Sequence, residues 1–182
     1  VVPSDLAEHD FDYDYEELGR KLGGDVLCVL SVHLFGKPSD TRRLKDLCRG
    51  TGIFVVEDAA QAMGAVDGEP LGTMGDVGFF SLGRGKNITC GAGGIILTRD
   101  TEIARVLDAV ATDLPSASLV AAAASFITLF ALSVLLSPLL YWFPSGLPFL
   151  KLGETIFHED FPVQRLSAFQ ALVLHDWRQR LG

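Results

Sequence analysis

The feature that most constrains this sequence is a short apolar run that ends in two acidic residues. Residues 53–56 are apolar throughout and largely β-branched, and Glu57 and Asp58 follow directly. Such a run is typical of a parallel strand that is covered on both faces. In open α/β sheets, ligands bind beyond the carboxyl ends of the strands. Because adjacent strand residues point to opposite faces, only one of the two carboxylates faces such a site, and we choose Asp58.

A second apolar run leads through Ser81 to Lys86, which lies in a glycine-rich loop. Glycine allows positive φ angles and close approach of a ligand. A lysine in such a loop is suited to Schiff-base chemistry, although a single lysine of this kind is more often a solvated surface residue. If a helix begins after Asp58, Gln61 lies one turn further on, and the two side chains address one ligand together.

The surrounding pattern predicts alternating strands and helices. A strand over 26–32, a helix over 41–49 capped by Asp40 and a strand over 53–56 form a right-handed crossover, so the sheet is largely parallel. The chain before 26 has a helix over 15–22, capped by Asp12 or Asp14. We also predict extended segments over 93–98 and 152–157 and helices over 100–111 and 163–181.

Charge and cysteine content exclude some classes of function. The net charge is −8 and no basic stripe is visible, which argues against a nucleic-acid partner. The odd number of cysteines and their non-metal spacing indicate reduced thiols in a cytoplasmic protein. The histidines are too scattered for a metal centre. We interpret His33 as a hydrogen-bonded residue at a strand end in preference to a residue that lines a site.

The stretch over 114–150 has no charged residue between Asp113 and Lys151. A helix over 117–137 would reach roughly 30 Å, the thickness of a hydrocarbon core. A single membrane span would put the chain beyond Lys151 on the opposite side of the membrane from the sheet. Prolines also interrupt the stretch after residue 137. Two other interpretations therefore remain open. Residues 117–143 contact a membrane from its inner face, or the helix packs inside a small domain or against a partner subunit.

Several short motifs, in this order, resemble the DegT/DnrJ/EryC1/StrS family of pyridoxal-phosphate-dependent sugar aminotransferases. The resemblance implies an α/β fold of the aspartate-aminotransferase type (fold type I): a three-layer α/β/α large domain with a mostly parallel sheet, here truncated. The motifs are Val32-His33-Leu34-Phe35-Gly36, Glu57-Asp58-Ala59-Ala60-Gln61, Met63-Gly64-Ala65, Leu71-Gly72-Thr73, Gly75-Asp76, Phe80-Ser81, Lys86 and Gly93-Gly94.

The same resemblance implies a cofactor, pyridoxal 5′-phosphate, and a role for each site residue. Lys86 forms the Schiff base and moves the proton during transfer. Asp58 pairs with the pyridine nitrogen, Gln61 hydrogen-bonds the phenolic oxygen and Ser81 contacts the phosphate. The implied reaction transfers an amino group from glutamate to a nucleotide-linked keto sugar. Dehydratases of this family carry histidine at the lysine position, so Lys86 favours amino transfer.

The resemblance also implies a domain arrangement and a homodimer. Residues 1–113 are then part of the cofactor-binding large domain, 114–150 an apolar helical insertion and 151–182 the start of a small domain. Two alternatives remain open: an inactive, membrane-associated regulatory or scaffold homologue, and a pyridoxal-phosphate-dependent sugar dehydratase. A scaffold would bind no cofactor, whereas a dehydratase would bind it and remove water from the sugar.

Overall fold

The computed structural model describes residues 1–135, 137 and 163–180. The chain divides into two compact units, Val1–Ala109 with Trp177–Gly182, and Val110–Asp176. The extended segment predicted over 152–157 lies outside the described residues.

The first unit is built on a four-stranded sheet in the order β1-β2-β5-β6. The first three strands run parallel and the last is antiparallel to its neighbour, so the mostly parallel sheet of the predicted α/β fold is confirmed. Each predicted strand that falls on described residues is present, with shifted ends. The strands are β1 Cys28–Val32, β2 Phe54–Asp58, β3 Val66–Asp67, β4 Glu69–Pro70, β5 Val77–Ser81 and β6 Gly94–Leu97, of which β3 and β4 form a separate short hairpin.

The helices of this unit begin where short acidic side chains cap them. Helix α1, Tyr15–Lys21, is capped by Asp14, whose side chain accepts hydrogen bonds from two backbone N–H groups of the first turn. Helix α2, Thr41–Cys48, is capped by Asp40 as predicted, and the Asp40 side chain accepts a hydrogen bond from the Arg43 N–H. The next helix, α3, is Thr101–Asp113 and contains the boundary between the two units at Ala109 and Val110. Capping groups therefore define where α1 and α2 begin.

Helices α1 and α2 cover one face of the sheet. The buried cluster between them and the strands consists of Leu18, Val29, Leu44, Cys48, Ile53 and Val55. The opposite face is more open than the sequence predicted, because Phe54 is 44% exposed and Ile96 is 56% exposed. The expectation that the 53–56 strand is covered on both faces is therefore wrong for the described residues.

The second unit contains α4, Leu119–Leu135, and α5, Ala168–Val173. The rings of Phe126 and Phe169 meet edge to face with centroids 5.2 Å apart and join the two helices. The predicted continuous helix over 163–181 is wrong. The N–H of Arg165 bonds to the Pro115 carbonyl oxygen at 3.0 Å, and a capping box at Ser167 starts the helix only there.

Helix α4 occupies most of the predicted apolar helix over 117–137 but has 17 residues. A helix of that length is about 25 Å long. None of the helices in the described ranges is long and apolar enough to cross a bilayer. Several large apolar side chains of α4 are exposed, with Ile127 at 65% and Phe130 at 62%. Of the predicted membrane-contacting stretch over 117–143, residues 136 and 138–143 lie outside the described residues.

Candidate functional site

Three parallel strands end at one edge of the sheet, and the candidate site residues follow those ends. Because β1, β2 and β5 are parallel neighbours, their carboxyl ends lie side by side. The turn with Phe35 follows β1, Asp58 closes β2 and Ser81 closes β5. The sheet topology therefore gathers polar residues that are distant in sequence.

A cavity of about 280 Å³ opens at this edge, and we call it the strand-end cavity. Three of the four predicted cofactor-binding residues, Gln61, Ser81 and Lys86, line it. The fourth, Asp58, does not. The complete lining is Phe35, Ala60, Gln61, Met63, Ser81, Gly85, Lys86 and Asn87.

Lys86 is half-buried in the wall of the strand-end cavity. Across residues 1–135, 137 and 163–180, its ammonium group forms no salt bridge. The preceding residue, Gly85, has a φ of 78°, and a Cβ placed there would meet nothing within 4 Å. The loop thus keeps open space next to a lysine that no neighbouring carboxylate holds.

The Gln61 side chain is oriented by a backbone hydrogen bond. The N–H of Phe35 donates to Oε1 of Gln61 at 3.0 Å. An N–H group can only donate, so the amide oxygen faces Phe35, and the NH₂ group is what the side chain offers to a ligand. The helix that would have placed Gln61 one turn after Asp58 is absent; Ala62 N–H bonds to Ala59 O at 3.0 Å within consecutive turns.

Asp58 and Ser81 are both half-buried strand-end residues. The Asp58 carboxylate accepts a hydrogen bond from the Ala60 N–H at 3.0 Å, and the Ser81 hydroxyl oxygen accepts one from the Gly83 N–H at 3.2 Å. The first bond uses one of the two carboxylate oxygens of Asp58, and the second uses the Ser81 oxygen as an acceptor and not its O–H as a donor. Both side chains therefore retain capacity for further hydrogen bonds.

Glu57 lies on the helix-covered side of β2 and has a different role, which the sequence did not reveal. Its side chain is fully buried. It accepts hydrogen bonds from the N–H groups of Gly72, Met74 and Gly75 at 3.0, 2.7 and 2.5 Å, and from Nε2 of His33 at 2.8 Å. We call this set of groups the Glu57 network. Burial alone would raise the pKa of Glu57, but the hydrogen bonds from His33 and the backbone outweigh it and lower the pKa.

His33 belongs to the Glu57 network and not to the strand-end cavity. Its Nδ1 accepts a hydrogen bond from the Ser39 N–H at 3.2 Å, so the ring is neutral and carries its proton on Nε2, which donates to Glu57. The interpretation of His33 as a hydrogen-bonded strand-end residue is confirmed. The adjacent acidic pair in the sequence could have indicated this network. Because neighbouring strand residues point to opposite faces, one of the two carboxylates lies on the covered side, where a buried charge requires hydrogen-bond donors.

This chain is similar to known proteins both in sequence and in structure. A GDP-perosamine synthase of Vibrio cholerae is 40% identical over 98 residues, which cover 53% of this chain and 27% of that protein. An aminotransferase of Psychrobacter cryohalolentis matches in structure with a TM-score of 0.58 and 25% identity, over 91% of this chain and 36% of that one.

A further structural match is a GDP-4-keto-6-deoxymannose-3-dehydratase with a trapped PLP-glutamate geminal diamine. Its TM-score is 0.50 and its identity 31%, over 54% of this chain and 26% of that one. This chain spans about a quarter of the length of the Vibrio relative, at 27%. The model of the DegT/DnrJ/EryC1/StrS aminotransferase family matches residues 1–113. The predicted fold class is confirmed by these matches, and the chain belongs to the DegT/DnrJ/EryC1/StrS aminotransferase family.

Proposed function

We propose that this chain carries the lysine-bearing part of a pyridoxal-phosphate-dependent aminotransferase. Its substrate is a nucleotide-linked keto sugar and its amino donor is glutamate. The observation that carries the proposal is the position of Lys86, which shares the strand-end cavity with Gln61 and Ser81. Membership of the family and the name of the GDP-perosamine synthase relative support a nucleotide sugar as substrate. The PLP-glutamate adduct in the dehydratase structure supports the cofactor and the amino donor.

The residues present fit the chemistry of pyridoxal phosphate. A phosphate needs hydrogen-bond donors, and the Ser81 hydroxyl supplies one. A phenolic oxygen needs a donor as well, and the NH₂ group of Gln61 is available because its oxygen already bonds to Phe35. An aldehyde needs an amine, and Lys86 is a cavity-lining lysine without a salt bridge in the described part of the chain. All three side chains border one space.

Each of these side chains has a distinct role in the proposed reaction. When bound, pyridoxal phosphate supplies an aldehyde that captures amines as Schiff bases and a ring that accepts an electron pair. Lys86 would hold the cofactor through its side-chain amine, and the same amine would serve as the base that moves a proton at the donor's Cα. Asp58 would keep a proton on the pyridine nitrogen, using the carboxylate oxygen that Ala60 leaves available. Gln61 and Ser81 orient the cofactor.

Reductive trapping tests this proposal on the chain itself. Pyridoxal phosphate is added to the purified chain, to Lys86→Ala and to Lys45→Ala, in which an exposed lysine of α2 is removed as the matched control. We expect a visible absorbance band in the parent and in the Lys45 variant, and a borohydride-fixed adduct that peptide mass spectrometry locates at Lys86. A folded parent without band or adduct would refute the proposal and favour a scaffold protein.

Amino transfer and dehydration give different sugar products. With glutamate and a nucleotide-linked 4-keto sugar, an aminotransferase forms an amino sugar and releases 2-oxoglutarate. A dehydratase instead removes a hydroxyl group from the sugar and leaves no nitrogen on it. Mass spectrometry of the sugar nucleotide distinguishes the two, and a dehydrated product without nitrogen would replace the aminotransferase proposal by the dehydratase alternative.

We also propose that the protein acts as a homodimer, as the family resemblance implies for sites that borrow groups from a second subunit. The openness of the strand-end cavity to solvent supports the need for further walls. Light scattering after gel filtration measures the mass in solution. A monomer at concentrations at which the cofactor binds would contradict the proposal.

A membrane role for the apolar stretch over 117–143 is a separate proposal, and it places the protein in the cytoplasm, at the inner face of the membrane. Its support is the exposure of apolar side chains on α4, including Phe126, Ile127 and Phe130. Flotation with vesicles of bacterial lipids tests it. We expect the parent to float with the vesicles and a variant with Ile127 and Phe130 replaced by serine to remain in the dense fraction. Equal flotation of both would refute the proposal.

A further inference from the structure

Phe35 has an unusual backbone conformation that its own packing does not explain. Its φ is 56° and its ψ is 23°, in the left-handed region that bulky residues rarely adopt. The side chain is 77% exposed, so burial of the ring does not compensate for the strain. Strained residues of this kind persist where the surrounding structure determines them, and they concentrate at functional sites.

The strained backbone directs the N–H of Phe35 towards Gln61. Rotation about the N–Cα bond of Phe35 turns the preceding peptide plane relative to the residues that follow. Two hydrogen bonds close the turn around this plane: Gly36 N–H bonds to His33 O at 3.2 Å, and Lys37 N–H bonds at 3.0 Å to Leu34 O, which belongs to the same peptide unit as the Phe35 N–H. A negative φ at Phe35 would therefore turn its N–H away from the Gln61 oxygen that accepts it at 3.0 Å.

The orientation of Gln61 affects two adjoining spaces. A second cavity of about 450 Å³ lies beside the strand-end cavity. Phe35, Gln61, Met63 and Asn87 line both of them. If the Gln61 amide were reversed, its oxygen would face a bound acceptor and repel it. With the oxygen held by Phe35, the amide presents only N–H donors to a ligand.

We propose that Phe35 is a positioning residue whose left-handed backbone fixes the Gln61 amide as a hydrogen-bond donor towards an anionic oxygen in the strand-end cavity. The identity of that oxygen, the phenolic oxygen of pyridoxal phosphate, rests on the proposed function. The orientation of Gln61 by Phe35 does not rest on it. The two claims can therefore be tested separately.

The first experiment measures amide hydrogen exchange at position 35 by NMR, without cofactor. Asn tolerates the left-handed region, whereas the β-branched Val does not. We expect the residue-35 N–H to exchange at least fivefold more slowly in the parent, Phe35→Asn and Phe35→Gly than in Phe35→Val or Gln61→Ala. If only the apolar volume of the side chain mattered, the order would be reversed. The exchange rate in Phe35→Val would then be closer to that of the parent than the rates in Phe35→Asn and Phe35→Gly. Equal protection in the Val and Asn variants would overturn the inference.

The second experiment measures the dissociation constant for pyridoxal phosphate. Gln61→Glu keeps an acceptor for the Phe35 N–H but removes the donor, so we expect slow exchange at position 35 together with affinity reduced at least tenfold. We also expect Phe35→Val to bind at least fivefold more weakly than Phe35→Asn. Equal affinity of these two folded variants would overturn the inference. If the parent binds no cofactor, the proposed function fails, and the exchange measurement alone decides the role of Phe35.

Discussion

The Glu57 network and the strand-end cavity lie on opposite sides of the same strand end and differ in how their polar groups are satisfied. Glu57 is fully buried and accepts three backbone N–H groups and the His33 ring. Lys86 and the NH₂ group of Gln61 face an open cavity. A satisfied buried network gives rigidity, whereas donors and an amine facing open space are available to a ligand. We therefore expect changes in the network to affect stability and changes at the cavity to affect binding.

The largest difference in the free energy of unfolding is expected between alanine substitutions at two glycines, one in the network and one beside the cavity. A Cβ at Gly78, which pairs with Glu57 across the strands, would lie 1.9 Å from the Gly72 carbonyl oxygen. Gly78→Ala should lower the free energy of unfolding by about 4 kcal/mol. Gly85→Ala beside the cavity meets no atom within 4 Å and has only its φ of 78° to strain it, so about 1 kcal/mol is expected. Urea denaturation measures both, and equal losses would break the comparison.

Removal of the buried charge should have the next largest effect. In Glu57→Gln, the amide NH₂ replaces an acceptor oxygen, so backbone or ring donors face another donor. We expect a loss of about 3 kcal/mol in the free energy of unfolding, since buried donors are left without acceptors. Denaturation midpoints and slopes measure it. A loss below about 1 kcal/mol would show that the network reorganises at little cost and would weaken the contrast with the cavity.

A fall in pH should reduce the stability that the Glu57 network contributes. The pKa of Glu57 in the folded chain is below its ordinary value of 4.5, so the ionised carboxylate adds stability above that pH. This contribution is lost as the pH falls from about 4.5 through the folded pKa. We expect the stability advantage of the parent over Glu57→Gln to shrink between pH 6 and pH 3. An advantage that grows with acid would mean that the folded pKa is raised instead.

The smallest effect on stability is expected at the neighbouring carboxylate. Asp58→Asn keeps an oxygen for the Ala60 N–H, so the free energy of unfolding should change by about 0.5 kcal/mol or less. If Asp58 pairs with the pyridine nitrogen, the same variant should bind pyridoxal phosphate at least tenfold more weakly. Denaturation and cofactor titration on one preparation measure both quantities. A large loss of stability with unchanged affinity would reverse the roles assigned to Glu57 and Asp58.

Much of the first unit was predictable because its signals are local. Asp40 caps α2 through a side chain three residues from the backbone N–H it accepts, and glycines follow where helices end. The helix predicted over 163–181 failed at its start because Arg165 bonds to Pro115, a distant residue, and the capping box at Ser167 begins the helix only at Ala168. Local preference cannot anticipate a hydrogen bond that tertiary structure supplies.

The candidate site shows the same limit. Gln61, Ser81 and Lys86 could be named from motifs and from their positions after apolar runs, and the structure brings them to one cavity. Phe35 could not be assigned a role, because a positive φ at a phenylalanine contradicts its own preference. A helix after β2 was only the condition under which Gln61 would lie one turn after Asp58, and the structure has consecutive turns there instead.

The sequence by itself determined the order of the main strands and helices of the first unit, the Asp40 cap of α2 and the family to which the lysine-bearing loop belongs. These depend on periodicity, capping and short motifs, which act over a few residues. Only the tertiary structure decided that Glu57 collects donors on the covered side of the sheet, that Asp58 stands outside the lining of the cavity, and that Phe35 orients Gln61. These depend on which strand ends meet in space, and that information is carried by pairing between residues far apart in the chain.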